Sequence, residues 1–170
     1  DVYRGFIKPE RSFLLFCNYV TFFPQLVAGP ILRAKEVIWQ LDKRPKFSWN
    51  DIAGGINRIL GGLFLKVVLA DNLASLVDEG FDAAPSMLGA IDTLTLAYLF
   101  GLQIYFDFAA YSHIAIGTAM LMGIKFPENF NFPYIAVSPQ DFWKRWHISL
   151  SSWIRDYLYL PFTGANVLDR

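Results

Sequence analysis

The two histidines of this sequence are its residues best suited to acid–base chemistry. Imidazole is the usual general acid or base near neutral pH. His147 follows the aromatic and basic run FWKRW, whereas His113 lies inside a long apolar segment. Desolvation among indole rings disfavours the charged form of a histidine. A structural role on an amphipathic helix is the alternative for His147.

Asp107 is the only acidic residue of an apolar segment, 93–124, that contains neither lysine nor arginine. An ionisable group at membrane depth is by default a candidate for a functional site. On a helix, Gln103, Asp107 and Tyr111 form a polar stripe at four-residue spacing. Asp107 and His113 would be about 240° apart and form no obvious pair. The alternative for both is a hydrogen bond that stabilises a helix bundle.

Other classes of site find little support. The sequence has no Walker loop, dinucleotide-binding motif or nucleophile elbow. One cysteine, Cys17, and two distant histidines make a zinc site unexpected, so we expect no bound metal. Fifteen basic and fifteen acidic residues give no excess charge for nucleic acid. The basic and aromatic run before His147 is more typical of anchoring at a membrane interface.

The composition indicates an integral membrane protein. The chain is 54% hydrophobic, 17% aromatic and 18% charged, with a mean hydropathy of +0.32, whereas soluble domains carry more charge. Three segments, 12–32, 51–77 and 93–124, are candidate membrane helices. Pro24 makes the first a kinked or re-entrant segment, with a buried helix of a soluble protein as the alternative. Segment 93–124 is long enough for one helix or two.

The remaining segments are predicted as loops, followed by a last helix. We expect loops at 34–50, 79–86 and 125–134, the third with aromatic side chains suited to a membrane interface. Ser138 is a predicted N-cap of the last helix. At 100° per residue, one apolar arc of this helix contains Phe142, Trp143, Trp146, His147, Leu150, Trp153, Ile154, Tyr157 and Leu158, with Ile148 as a misfit. This amphipathic helix would lie on the membrane or line a water-filled cavity.

Four ordered motifs resemble those of the membrane-bound O-acyltransferase family. They are NYVTFFPQLVAGPI at 18–31, YFDF with a following Tyr-Ser at 105–112, PENFNFPY at 127–134, and DFWKRWHISLS continuing to Tyr159. The likeness covers almost the whole chain and is to the bacterial branch that acylates alginate and teichoic acid. We therefore expect an all-α, polytopic transmembrane bundle, with 1–170 as an internal fragment of one membrane domain.

The resemblance implies a multi-pass enzyme of the inner or plasma membrane. It would transfer an acyl group, expected to be acetyl, from a thioester donor to hydroxyl groups of a cell-envelope polysaccharide. The donor is acetyl-CoA or an acyl carrier protein, and no cofactor is bound. Further partners implied are the lipid bilayer and periplasmic or extracellular acetyltransferases; no nucleic acid is expected.

His147 matches one of two important histidines of the family, and the resemblance implies that it is catalytic. The other, usually given the base role, lies further downstream in a Trp-His context. His113 departs from the family pattern, which often has an acidic residue there. The residues expected to position His147 or to shape the substrate passage are Trp143, Trp146, Arg155, Asp156 and Asp107.

Two alternatives remain from the sequence. A transporter or channel could use Asp107 and His113 as a proton relay, although no inverted repeat is visible. A non-catalytic family member could instead dock a secreted acetyltransferase.

Overall fold

The computed structural model describes residues 1–43 and 48–163, and the regular secondary structure in these ranges is entirely helical. This confirms the all-α class. The α-helices are α1 (Phe13–Val20), α2 (Ala34–Asp42), α3 (Trp49–Leu63), α4 (Asp71–Asp82), α5 (Ala90–Leu121), α6 (Pro139–Arg145), α7 (Ile148–Ile154) and α8 (Leu160–Phe162). Short 3₁₀ turns lie at Phe23–Gln25, Pro85–Met87 and Pro133–Ile135, and π-helical segments at Phe64–Ala70 and Arg155–Tyr159.

Two long helices are apolar enough to cross a membrane. One runs from Trp49 to Asp82 over 34 residues, joining α3, the first π-helical segment and α4, and the other is α5 with 32 residues. About 20 residues suffice to cross the hydrocarbon core. Because α5 is unbroken from Ala90 to Leu121, the segment 93–124 forms one helix rather than two. That the whole protein crosses the membrane several times remains a prediction.

The loop predicted at 79–86 is wrong in its first half, because α4 continues to Asp82. Gly80 has a packing role here. A Cβ atom added to it would collide with the side chain of Leu96 on α5. The next residue, Phe81, packs edge-on against Phe100 with ring centroids 5.5 Å apart. Contacts with α5 therefore stabilise the last turn of α4, although it contains Gly80, a residue type that is typical of turns.

Glycines allow α3 and α5 to pack with their backbones in close approach. A Cβ atom at Gly117 would lie 2.7 Å from the carbonyl oxygen of Gly55, and one at Gly55 would lie 2.8 Å from that of Gly117. Two turns along the crossing, a Cβ at Gly62 would lie 2.8 Å from the carbonyl oxygen of Ala110. Small residues serve this purpose in membrane helix pairs, where association depends on van der Waals packing.

We expect Gly117→Ala to destabilise the protein by about 1–3 kcal/mol, because the added methyl group overpacks the helix crossing. The matched control is Gly61→Ala on α3, since no atom lies within 4 Å of a Cβ added there. Relief of backbone entropy should leave this control as stable as the wild type, or more stable by at most about 1 kcal/mol. Unfolding of the full-length protein in mixed detergent measures both. Equal effects of the two substitutions would contradict the close crossing.

The first candidate membrane segment is not one continuous helix. Ser12 caps α1 by accepting a hydrogen bond from the Leu15 N–H at 3.2 Å, but α1 has only eight residues. The chain then turns at Phe23–Gln25, where Gln25 donates to the Tyr19 carbonyl oxygen at 2.6 Å. At 1.5 Å per residue, eight residues are too few to cross a bilayer. The re-entrant placement of this segment in a membrane remains a prediction.

The loop predicted at 34–50 is wrong over its first part, which forms α2. Helix formation there depends on contacts that are distant in sequence. Val37 is fully buried, and the Gln40 side chain accepts from the Lys125 N–H at 2.9 Å while donating to the Lys125 carbonyl oxygen at 3.1 Å. Residues 44–47, which include the predicted loop's Pro45, lie outside the described residues.

The last predicted helix is interrupted. Ser138 caps α6 as expected, accepting from the Asp141 N–H at 3.1 Å, but α6 ends at Arg145. His147 adopts left-handed backbone angles, with φ 42°, before α7 begins. The prediction of one continuous amphipathic helix is therefore wrong, and the break explains why Ile148 did not fit the apolar arc.

Candidate active site

Trp146 lies at the centre of an aromatic cluster that joins α5, the loop after α5, and α6. The shortest ring–ring separations are 5.1 Å to Phe130 and 5.7 Å to Phe142. Further partners are Tyr105 and Phe108, each at 6.3 Å, and Tyr134 at 6.4 Å. Aromatic pairs at such distances add stability beyond the area that they bury. The cluster therefore fixes the residue directly before His147.

His147 is held half-buried against this cluster. The edge of its ring meets Phe108 with centroids 4.7 Å apart and an interplanar angle of 84°. Neither ring nitrogen forms a hydrogen bond with another of the described residues. Burial lowers the pKa of His147 below its ordinary value, which favours the neutral imidazole. A non-glycine residue with left-handed angles stores strain, as residues at functional sites often do.

Asn129 stabilises the break between α6 and α7 at which His147 lies. Its side chain is fully buried. Its Oδ1 accepts from the Ser149 hydroxyl at 2.8 Å and from the Ser149 N–H at 3.3 Å, and its Nδ2 donates to Ser112 Oγ on α5 at 3.1 Å. The Asn129 carbonyl oxygen accepts from the Ile148 N–H at 2.9 Å. Asn129 thus caps the start of α7 from a distant loop.

The network continues from Asn129 towards the N-terminal part of the chain. The Ile31 N–H donates to Ser149 Oγ at 3.0 Å. Sequence analysis missed the roles of Ser112, Asn129 and Ser149. The signal in the sequence was their position. Each of these three polar residues lies within a different family-like motif, although no role had been assigned to it.

Asp156 is a buried carboxylate between two arginines. Arg33 approaches it at 2.7 Å and Arg155 at 2.7 Å, on different carboxylate oxygens. Burial alone would raise the pKa of Asp156, but the hydrogen bonds from Arg155 and Arg33 hold that pKa below its ordinary value. This ion pair ties the second π-helical segment to the start of α2. Sequence analysis named Asp156 and Arg155 but missed Arg33.

Asp107 lines a cleft that Phe108 also lines, whereas His147 is not among the lining residues. The cleft has a volume of about 360 Å³, and Lys66, Asp107, Phe108 and Tyr111 are among its lining residues. Lys66 Nζ lies 2.7 Å from Asp107 Oδ1 and 2.9 Å from Asp71 Oδ1. Lys66 belongs to the π-helical segment between α3 and α4, and such segments frequently mark functional sites.

The predicted supporting residues therefore occupy different positions around His147. Trp146 directly precedes His147 and belongs to the aromatic cluster, whereas Asp107 lies in the cleft that Phe108 also lines. Trp143 is 54% exposed and packs on Phe142 rather than on His147. The proposed relay pair is not joined, since no hydrogen bond links Asp107 and His113 in the described ranges. His113 faces α3, where a Cβ at Gly62 would lie 3.1 Å from its Cβ.

The sequence profile of the membrane-bound O-acyltransferase family matches residues 9–169. The chain belongs to this family. The match includes His147, Asn129, Asp107 and Asp156. Family membership accords with the two apolar helices, because proteins of this family are membrane-bound.

Three relatives of this membrane-bound O-acyltransferase chain illustrate the range of similar proteins. The probable alginate O-acetylase of Pseudomonas aeruginosa is 44% identical over 164 residues, which cover 96% of this chain and 31% of the relative. The peptidoglycan O-acetyltransferase of Helicobacter pylori is 45% identical over 157 residues, covering 91% and 30%. The teichoic acid D-alanyltransferase of Bacillus subtilis is 35% identical over 164 residues, covering 93% and 40%. The chain thus spans about a third of the length of these curated relatives.

Proposed function

We propose that this chain is part of a membrane O-acyltransferase that transfers an acetyl group from a thioester donor to hydroxyl groups of a cell-envelope polysaccharide such as alginate. Membership of the family and the names of the relatives support acyl transfer. Acetyl-CoA or an acetylated carrier protein would supply the thioester. The enzyme would be a multi-pass protein of the inner or plasma membrane, and periplasmic or extracellular acetyltransferases would act with it.

The geometry of His147 carries the proposal. A hydroxyl is a weak nucleophile at neutral pH and needs a base to take its proton as it attacks the thioester carbonyl. A neutral imidazole with free ring nitrogens can accept that proton. The acyl carbon then bonds to the hydroxyl oxygen, the bond from carbon to sulfur breaks, and the thiolate leaves. His147 would serve in this step, together with any further base elsewhere in the protein.

Five other residues would support His147. Trp146 would hold the backbone, and Asp156 with Arg155 would anchor the segment after α7. Asp107, in the cleft that Phe108 also lines, would line the passage of one substrate, and Trp143 would line the passage of the second substrate.

Deletion of the gene in its own host tests the proposed function. We expect the O-acetyl ester content of the envelope polysaccharide to fall to background and to return on complementation with the wild-type gene. The matched control is complementation with the His147→Asn variant, which should insert into the membrane without restoring the esters. Unchanged ester content in the deletion strain would contradict the function.

The dependence of kcat/KM on pH should change when Phe108 is replaced. Because burial lowers the pKa of His147, we expect kcat/KM to stay high below about pH 6.5, the ordinary pKa of histidine, and to fall only at lower pH. Phe108→Ala exposes the imidazole and should shift this acid limb upward towards pH 6.5. Phe100→Ala, on the same helix but packed against Phe81, should leave the limb in place. An unmoved limb in Phe108→Ala would contradict the role of burial.

A further inference from the structure

The short segment 31–33, just before α2, contacts α7 and the π-helical segment that continues it at two points. The Ile31 N–H donates to Ser149 Oγ at 3.0 Å, and the Arg33 guanidinium donates to Asp156 Oδ2 at 2.7 Å. Ser149 and Asp156 are seven residues apart, about two helical turns, so they lie on the same face of the helix. One contact would leave α7 free to pivot, whereas two contacts about 10 Å apart fix its direction.

The segment that makes these contacts is itself held in place from the N-terminal side. The Tyr19 hydroxyl on α1 donates to the Leu32 carbonyl oxygen at 2.8 Å. The side chains of Leu32 and Pro30 are buried. At Gly29 the chain passes so close to Pro24 that an added Cβ atom would collide with the Pro24 carbonyl oxygen. The segment before α2 therefore provides a fixed support for α7.

Of the two arginines at Asp156, Arg33 is the one that joins distant parts of the chain. Its side chain is 13% exposed, whereas that of Arg155, the residue directly before Asp156, is 57% exposed. The Arg33 guanidinium also lies 5.5 Å from the centre of the Tyr157 ring, within the range of a cation–π interaction. A planar guanidinium can make both contacts at once, whereas the ammonium group of lysine is a single point of charge.

His147 directly precedes α7, so its position depends on the direction of that helix. The Ser151 N–H donates to the His147 carbonyl oxygen at 3.0 Å, which joins the residue to the first turn of α7. The imidazole packs on Phe108 of α5 with ring centroids 4.7 Å apart. A change in the direction of α7 would therefore move the imidazole relative to α5. Misplacement of a reacting group by about 1 Å can cost about a hundredfold in rate.

We infer that Arg33 is a positioning residue, which holds Asp156 and Tyr157 and thereby fixes the direction of α7 and the placement of His147 for proton transfer. The inference rests on the proposed function, in which His147 accepts the proton of the attacking hydroxyl. Loss of the Arg33 side chain leaves the Asp156 carboxylate beside Arg155, so the buried charge keeps a partner. Removal of Arg33 should therefore disturb the placement of His147 more than it disturbs the fold.

The test introduces Arg33→Met into the wild type and into His147→Asn. Methionine has an unbranched side chain but neither the charge nor the hydrogen bonds of arginine. The full-length protein in phosphatidylcholine nanodiscs receives a radiolabelled acetyl thioester and an alginate oligosaccharide. We expect Arg33→Met to lower kcat about ten- to hundredfold and to change KM by less than about twofold. In His147→Asn the same substitution should change the residual rate by less than about twofold, because residues that act as a unit are not additive.

Lys35→Met is the matched control. Lys35 lies two residues further along, is exposed, and forms no ion pair with the described residues, so its replacement should leave kcat unchanged. If Arg33 only stabilised the fold, Arg33→Met would lower the rate by the same factor with and without His147. That result would overturn the inference while leaving acyl transfer intact. If the wild type leaves the thioester intact, the proposed function fails, and the inference fails with it.

A second variant covers the case in which Arg33→Met does not fold. Arg33→Lys keeps the charge beside Asp156 and should lower kcat by a smaller factor, again only where His147 is present. An equal loss in the two backgrounds would overturn the inference here as well.

A further measurement follows the position of His147 without turnover. Diethyl pyrocarbonate modifies accessible neutral imidazoles, and mass spectrometry distinguishes the peptide that contains His147 from the one that contains His113. We expect Arg33→Met to accelerate the modification of His147, because its imidazole is no longer held against Phe108, and to leave the modification of His113 unchanged. An unchanged rate at His147, or the same acceleration at both histidines, would contradict the positioning role.

Discussion

Replacing His147 with asparagine should reduce acyl transfer by about 10²–10⁴-fold, the contribution typical of a general base. Asparagine is the sharpest substitution because it tolerates left-handed backbone angles, which His147 adopts with φ 42°. The variant therefore removes the base while keeping the break between α6 and α7. Transfer is measured as radiolabelled acetyl moved from a thioester to a hydroxyl acceptor.

The matched control for this prediction is His113→Asn, which changes the other histidine of the sequence. It should retain transfer, because His113 faces α3 rather than the aromatic cluster. Both variants should insert into membranes and unfold at temperatures close to that of the wild type. Full transfer by His147→Asn would remove this residue from the active site. Loss of transfer in the His113 variant alone would favour the proton-relay alternative.

Replacing Asn129 with leucine should destabilise the full-length protein by about 3 kcal/mol. Leucine has a similar size but makes no hydrogen bonds, so Ser112 Oγ and the Ser149 N–H would lose their partner inside the protein. Leaving buried polar groups unpaired costs about 1–3 kcal/mol for each group. The free energy of unfolding in mixed detergent measures the effect. Transfer should fall as well, because the Asn129 network holds the break at His147.

Asn131→Leu is the matched control, with the same change of residue type in the same loop. The Asn131 side chain is exposed, and the hydrogen bonds at this position, with Arg145, involve its backbone N–H and carbonyl oxygen. We expect its stability to change by less than about 0.5 kcal/mol. A similar loss in both variants would show that the Asn129 network does not stabilise the fold in the way described.

The sequence was sufficient to predict the parts of the fold that depend on local composition. The apolar run 93–124, predicted as one helix or two, contains one charged residue and forms one helix, α5, whose limits lie within three residues of the run. The N-cap at Ser138 was also predictable, because capping involves a side chain and a backbone group only three residues apart. In both cases the deciding interactions lie within one element.

Contacts between distant parts of the chain account for the errors. The predicted helix through His147 was continuous because its side chains follow a helical period, but Asn129 supplies the cap that starts α7 after a break. Similarly, α2 is held by Gln40 against Lys125, which lies 85 residues away in the sequence. Helical periodicity in one segment carries no information about such partners.

In the candidate site, too, the features set by local sequence were predicted and the contacts between distant residues were not. Trp146 and His147 were identified from a motif, and the structure places them together at the aromatic cluster. Arg33, which pairs with Asp156 across 123 residues, and the cleft that Lys66 shares with Asp107 were not foreseen. These pairs need the folded arrangement of the helices before they become neighbours.

Reconstitution with defined substrates tests most directly whether this chain belongs to an acyltransferase that acts through His147. The full-length protein is purified without other proteins and supplied in nanodiscs with a radiolabelled acetyl thioester and an alginate oligosaccharide. We predict label on the oligosaccharide as an alkali-labile ester in the wild type, and a loss of at least about a hundredfold in His147→Asn. Equal labelling by the two proteins would contradict the role of His147, and a thioester left intact by the wild type would contradict the acyltransferase itself.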